Sequence, residues 1–379
     1  MSAPCSDAFR HLADQLGGID CATAHPVVSF RAPWNLQNWT LSVVELLMIT
    51  GAVLGLIHAV MMLRRHRQPA WLGLWIATVV YVLALEPFLY FPDTFGLNDR
   101  VGLVFAHNVF SIQFLYDRLP LYIVALYPAG IYLAHLLVDR LGVFRKRGVI
   151  VGAIATGVVH HAFYEIFDHL GPQLRWWAWN PDAPGTGPLF ASVPLTSMVI
   201  FATIGPTIVV ALARWLLFRD HPTRTAFGWS WRTVATGLLT PLLIPIISLP
   251  VSIVKPDAHL TLAIALYWAE LLAFVAIGLW GIATSRPRGT DLTGFTRTYP
   301  AIHASLYLVT FIVLWLTALP DLLSAIGGTT IGGTPTGNPL YVLACLALCI
   351  WVVVSGLRPT APDRIQNPAR VPEIEAATS

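Results

Sequence analysis

Residues Gly148–Leu170, GVIVGAIATGVVHHAFYEIFDHL, form an apolar run of helix length that carries His161, Glu165, Asp168 and His169 toward its end. At 100° per residue these four side chains fall within an arc of about 100°, one face of a helix. The surrounding chain has the hydropathy of membrane spans, where an ionisable group near the bilayer centre costs roughly 2.5–3.5 kcal/mol. A stripe of four such groups points to function.

The chain of 379 residues is 56% hydrophobic and only 11% charged, against about 25% charged for soluble domains. Apolar runs of span length recur from residue 41 to residue 357. This is the composition of an all-α, polytopic helical membrane protein. Nine spans are predicted, near 41–63, 71–92, 119–138, 148–169, 188–215, 232–254, 259–283, 302–320 and 339–357. Residues 1–40 form an N-terminal segment without the apolar core of a secretory leader, so the first hydrophobic run is retained as a span. The Pro-rich, polar stretch 358–379 reads as a disordered tail. Pro241, Pro245 and Pro250 predict that span six is kinked or broken.

The basic residues orient this arrangement. Lys146 and Lys255 are the only lysines among 23 basic residues, so arginine carries nearly all the positive charge. Arg64, Arg65 and Arg67 follow span one, and Arg140, Arg145, Lys146 and Arg147 follow span three. Arg219, Arg224 and Arg232 follow span five, and Arg286, Arg288 and Arg297 follow span seven. Nine-span alternation puts all four clusters on one side, which predicts an external N-terminus and a cytoplasmic C-terminus in the cell membrane. The partner this implies is the lipid bilayer. Basic residues in short interhelical clusters, not in a stripe interleaved with aromatics, exclude a nucleic-acid surface. Nothing in the pattern signals an oligomeric state.

Residues 101–116, VGLVFAHNVFSIQFLY, are apolar but too short to span, and are predicted to be re-entrant or interfacial on the outer side. Of the cysteines, Cys345 and Cys349 suit apolar packing, whereas Cys5 and Cys21 lie in the polar N-terminal segment and are candidates for a disulfide in an oxidising compartment.

With this orientation the stripe sits at the outer end of span four, and Glu86 lies at similar depth in span two. His107, Asn108 and Asp117 from the short outer segment join them, as do Arg175, Trp176, Trp177 and Trp179 from the loop after span four. One outward-facing pocket is expected to collect these groups. His160 and Tyr164 occupy the neighbouring helix face, and Glu270 lies in the middle of span seven. His161 and Glu165 with His107 or His135 are weak as a metal site, because paired carboxylate–histidine motifs from several helices are lacking. No metal and no cofactor is implied.

The stretch Tyr164–Met198, YEIFDHLGPQLRWWAWNPDAPGTGPLFASVPLTSM, resembles the bacterioruberin-type carotenoid hydratase family of integral membrane proteins. That family carries an Asp-Pro near a helix end, a Trp-x-Trp pair, a Gly-Pro-Tyr-Tyr-Gly-Val-Pro turn and a polar Ser-Asn. Asp168 takes the aspartate position, Trp177 and Trp179 the pair, and Gly187-Pro188-Leu189-Phe190 the turn, continued by Val193-Pro194-Leu195-Thr196-Ser197. Glu86 and Leu119-Pro120-Leu121 resemble the family's upstream acidic residue and Val-Pro-Leu helix start. His169 replaces the proline, Tyr164 stands where an acidic residue is expected, and Ser197 replaces the asparagine. The resemblance covers about residues 86–200.

It implies a lyase of carotenoid biosynthesis that hydrates an alkene of an apolar isoprenoid lipid. Asp168 or Glu165 would supply the proton, His169 or His161 would position the water, and Glu86 would complete the catalytic set. Trp177, Trp179, Tyr164, His107, Asn108, Ser197 and Glu270 would bind substrate, with aromatic faces stabilising the cation. The same ensemble would serve an isoprenoid cyclase, with an internal alkene in place of water. A transporter is the reading from another class: its ionisable groups would line a path across the membrane instead of converging in one pocket.

Overall fold

The computed structural model describes residues 6–16, 24–32, 38–219, 225–249, 254, 259–287 and 292–357. Cys5, Cys21, Arg224, Pro250, Arg288 and the tail from 358 lie outside the described residues, and with them the disulfide and the disordered tail. Nine helices among the described residues are long and apolar enough to cross a membrane. The chain is an all-α, multi-pass membrane protein.

A short amphipathic helix, α1 (Asp7–Gln15), and a strand, β1 (Val28–Arg31), precede the first span. The spans are α2 (Thr40–His66), α3 (Ala70–Tyr90), α4 (Leu121–Arg140) and α5 (Val143–Asp168), then a π-helical stretch (Ser197–Ile204) running into α6 (Gly205–Leu216). There follow α7 (Ala226–Ile247), α8 (Leu260–Ala283), α9 (Phe295–Leu323) and α10 (Pro339–Leu357). α4 is the central helix: 83% of its most apolar stretch is buried inside the protein, against 22% for α8, whose apolar side chains largely face outward. α4 packs on α2, α3 and α5, and α5 in turn packs on α6, α8 and α10.

Residues 101–116, expected to be re-entrant or interfacial, contain β2 (Phe105–His107) and β3 (Ser111–Phe114) and no span. β2 pairs antiparallel with β5 (Trp177–Trp179), and β3 lies between β1 and β4 (Leu119–Pro120). Backbone partners, not lipid, satisfy this segment's polar groups. Span five starts at Ser197, not 188, because Leu189–Phe190 (β6) and Val193–Pro194 (β7) fold into a hairpin first. The hairpin turns at Ala191–Ser192, where Ala191 has φ of +56°. Pro241 and Pro245 lie inside one continuous helix that runs to Ile247, so span six is not broken at either, and Pro250 lies outside the described residues.

The strands, α1 and the loops between them gather at the end of the bundle remote from the arginine clusters. They form a cap with its own small core, in which Phe9, Leu12 and Leu16 of α1 pack with Leu103, Ala106, Val109 and Ala178. Arg118 lies over the Phe9 ring at 3.4 Å, and burial lowers its guanidinium to about 10. At the opposite end, Arg140 donates to the Arg297 and Thr296 carbonyls at 2.9 and 3.0 Å. Arg147 donates to the Thr284 hydroxyl at 3.1 Å, and Lys146 to the Thr284 carbonyl. The clustered cations thus tie the ends of α4 and α5 to the chain around α8 and α9.

Candidate active site under the cap

Beneath the cap lies a cavity bounded by α3, α4, α5, the π-helical stretch, β2 and β5. Glu86 reaches it from α3, Ile123, Leu126 and Tyr127 from α4, and Tyr164, Phe167 and Asp168 from α5. Phe201 closes one side, and Phe105, His107, Trp177 and Trp179 form the roof. The β2–β5 pairing sets His107 opposite Trp177 and Phe105 opposite Trp179. Pairing residues alternate in face, so His107, Trp177, Phe105 and Trp179 point down together while Ala106 and Ala178 point to the cap core. The free space holds about one water.

Both carboxyl groups are buried and half satisfied. Tyr127 donates to Glu86 Oε1 at 3.3 Å, and Ser197 donates to Asp168 Oδ2 at 2.7 Å. Glu86 Oε2, Asp168 Oδ1 and the indole nitrogens of Trp177 and Trp179 have no hydrogen-bond partner among the described residues. Orphaned buried polar groups cost about 1–3 kcal/mol each. Four around one water-sized space mark a place for a polar occupant. His107 meets the Tyr122 hydroxyl through Nδ1 at 3.2 Å, and burial pushes its imidazole down to about 3, so it is neutral near pH 7. Metal chemistry has no donor set here: no group of three or more ligating side chains suited to a metal occurs among the described residues.

The predicted pocket is therefore divided. Glu86, Asp168, Tyr164, His107, Trp177 and Trp179 come together, with Ser197 behind Asp168. His161, Glu165 and His169 sit on the other flank of α5, against α10. Glu165 lies 3.7 Å from His161 Nδ1 and 3.4 Å from His169 Nε2, and Tyr341 bonds His161 Nε2 at 2.6 Å. The expected partnership of Asp168 with these two histidines is corrected, because a 100° arc straddles two helix–helix contacts.

Asn108 is a bracket within the cap, donating to the Leu16 and Arg175 carbonyls at 3.2 and 3.1 Å. Trp176 is fully buried and donates to the Thr40 hydroxyl at 3.0 Å. Asp117 takes the Ser29 hydroxyl, and Arg175 donates to the Gly332 carbonyl at 3.0 Å, both outside the cavity. Glu270 is half-buried on α8 and does not line it. His135 lies at the arginine end, where it accepts from Arg214 at 2.9 Å. His160 bonds the Ala202 carbonyl through Nδ1 at 2.8 Å.

Sequence reasoning missed Tyr127, Phe105 and Phe201, which carry no polar signal against an apolar background. It also missed Glu45, whose carboxylate takes the Ser111 hydroxyl. An acidic residue inside the run LSVVELLMIT was the available signal.

No curated protein and no solved structure matches the chain. Residues 31–280, which include the cavity and everything that lines it, match one family throughout, and the chain belongs to that family, described as a domain of unknown function, DUF7802.

Proposed function

We propose that the protein is a membrane enzyme that adds water to an alkene of an apolar isoprenoid lipid, with Glu86 and Asp168 as the acid–base pair. The observation that carries this reading is the pair of buried carboxyl groups, each with one unpartnered oxygen, on a water-sized, aromatic-walled cavity. One carboxylic acid protonates the alkene and leaves a tertiary carbocation. Water attacks the cation and returns its proton to the second carboxylate, so the net change is addition of one water. Ring faces of Phe105, Phe167, Trp177 and Trp179 stabilise the cation by about 0.5–2 kcal/mol each. The indole N–H groups hold the water oxygen. Space for one water beside the carboxyls favours water over an internal alkene, hence hydratase over cyclase. A carotenoid is the substrate suggested by the resemblance around Asp168, Trp177 and Trp179. Its terminus must part the aromatic wall to reach the acids.

The test is mass spectrometry of lipid extracts from a bacterium that accumulates linear carotenoids and expresses the chain. The expected result is a product heavier by one water, reduced about 10²–10⁴-fold in Asp168→Asn and Glu86→Gln and retained in Glu270→Gln. An isomer of unchanged mass would point to cyclisation. Absence of any product from folded, membrane-inserted protein would overturn the carotenoid assignment.

A further inference from the structure

A second small cavity lies deeper in the bundle and shares Leu126 and Tyr164 with the first. It too has room for about one water. Two imidazoles line it. His160 donates through Nδ1 to the Ala202 carbonyl, which leaves Nε2 as an acceptor. A Cβ on Gly130, another lining residue, would stand 3.1 Å from that nitrogen, so the glycine keeps the space before it. His303 Nδ1 meets the Tyr299 hydroxyl at 3.2 Å. Neither Nε2 has a hydrogen-bond partner among the described residues.

The polar groups continue toward the arginine end. Tyr299 stacks on His58 with ring centroids 4.8 Å apart, and His58 Nδ1 meets the Tyr132 hydroxyl at 2.7 Å. Trp71 packs against both Tyr132 and His135. His135 accepts from Arg214, which pairs with Asp139. The Arg214 and Asp139 side chains are 14% and 27% exposed, so the row ends at the protein surface. From Leu126 to Asp139 α4 rises about 20 Å, two thirds of a hydrocarbon core of about 30 Å. Above the first cavity, Trp179 is itself partly exposed on the cap.

A core assembled for packing alone would use Phe and Leu here. Instead His303, Tyr299, His58, Tyr132 and His135 follow one another through the middle of the bundle. Intramembrane chains of ionisable side chains of this kind are typical of proton relays.

We propose that this row, with one water in the deeper cavity, is a proton-conducting column joining the arginine-lined face to the Glu86–Asp168 cavity and through it to the cap. Each imidazole takes a proton on one nitrogen and releases one from the other. Each phenol accepts one proton and passes on its own. One H⁺ moves, and no bond to carbon changes and nothing is oxidised. The stacked Tyr299–His58 step and the Tyr132–His135 step are crossed by ring rotation or a transient water. The column goes beyond the lipid chemistry and stands whether or not the cavity acts on a lipid.

The test is proton uptake by liposomes containing the full-length protein, with a trapped pH-sensitive dye and a potassium diffusion potential set by valinomycin. Wild type is expected to conduct above protein-free liposomes, and His303→Phe and Tyr299→Phe to lose about tenfold or more of that flux. Tyr299→Phe removes a single oxygen and keeps the test open should His303→Phe misfold, with gel filtration as the check on folding. No flux above protein-free liposomes, or undiminished flux in the folded variants, would overturn the column. Flux from a protein that yields no lipid product would retire the hydration chemistry and leave the column standing.

Discussion

At Asp168 one carboxyl oxygen accepts the Ser197 hydroxyl while the other faces the cavity unpaired. Ser197→Ala leaves both oxygens without a donor, and a stability loss of about 1–3 kcal/mol is expected from the orphaned buried acceptor, read as a lower midpoint in a thermal melt in detergent. His107 gives the cap a pH dependence. Its folded value is depressed to about 3 by burial, so between that value and its ordinary pKa near 6.5 the opened cap binds the extra proton. Closure is fully stable above about pH 6.5 and weakens below it, by up to about 1.4 kcal/mol per pH unit. The hydrogen-exchange protection factors of residues 105–107 and 177–179, taken against the intrinsic rate at each pH, should fall on acidification, and His107→Phe should remove the effect. A third expectation concerns Gly171, where a Cβ would overlap the Trp177 indole. Gly171→Ala should push that ring into the cavity and quench or shift tryptophan emission. The sequence carried the ionisable residues clearly, because charge in an apolar run is costly. It did not carry their division into two groups: a helical wheel gives angles, and the facing helices decide what each angle meets.

Among the elements, the cap was least legible. Its strands are two to four residues long, and β2 is held by β5 about seventy residues later in the chain. No local periodicity announces such a pairing. The nine spans were legible, with bounds good to within about seven residues except at the fifth, where the β6–β7 hairpin displaces the start. The π-helical stretch that follows had no signature either. It leaves the Met198 and Ala202 carbonyls to accept from His161 and His160 at 3.1 and 2.8 Å, a use of irregular helix common at functional sites. α1 is expected to be what holds the roof down. Phe9→Ala removes a buried ring from the cap core and from beneath Arg118, at a cost of about 3–5 kcal/mol. Faster limited proteolysis around residues 97–118, with the spans still protected, is the expected readout.

For the whole molecule, the arginine clusters gather at one end and the cap at the other, and the positive-inside rule predicts that the cap is external. With Cys5 and Cys21 replaced by Ser, a membrane-impermeant thiol reagent on intact cells should label Ser324→Cys and spare Arg145→Cys. The reverse pattern would invert the orientation. Hydropathy made the bundle legible because the bilayer constrains length and composition so tightly. The water-sized cavities were not, since they depend on how side chains from six elements meet. The long sequence separations within the site also bear on how the protein is made. Glu86 enters the membrane with its donor Tyr127 still 41 residues from synthesis. Asp168 precedes Ser197 by 29, and His161 precedes Tyr341 by 180. At about 5–20 residues per second the last interval is about 10–40 s. For that time the nascent bundle holds bare polar groups in lipid, and an insertion chaperone that shelters α5 until α10 arrives would set the yield of folded protein.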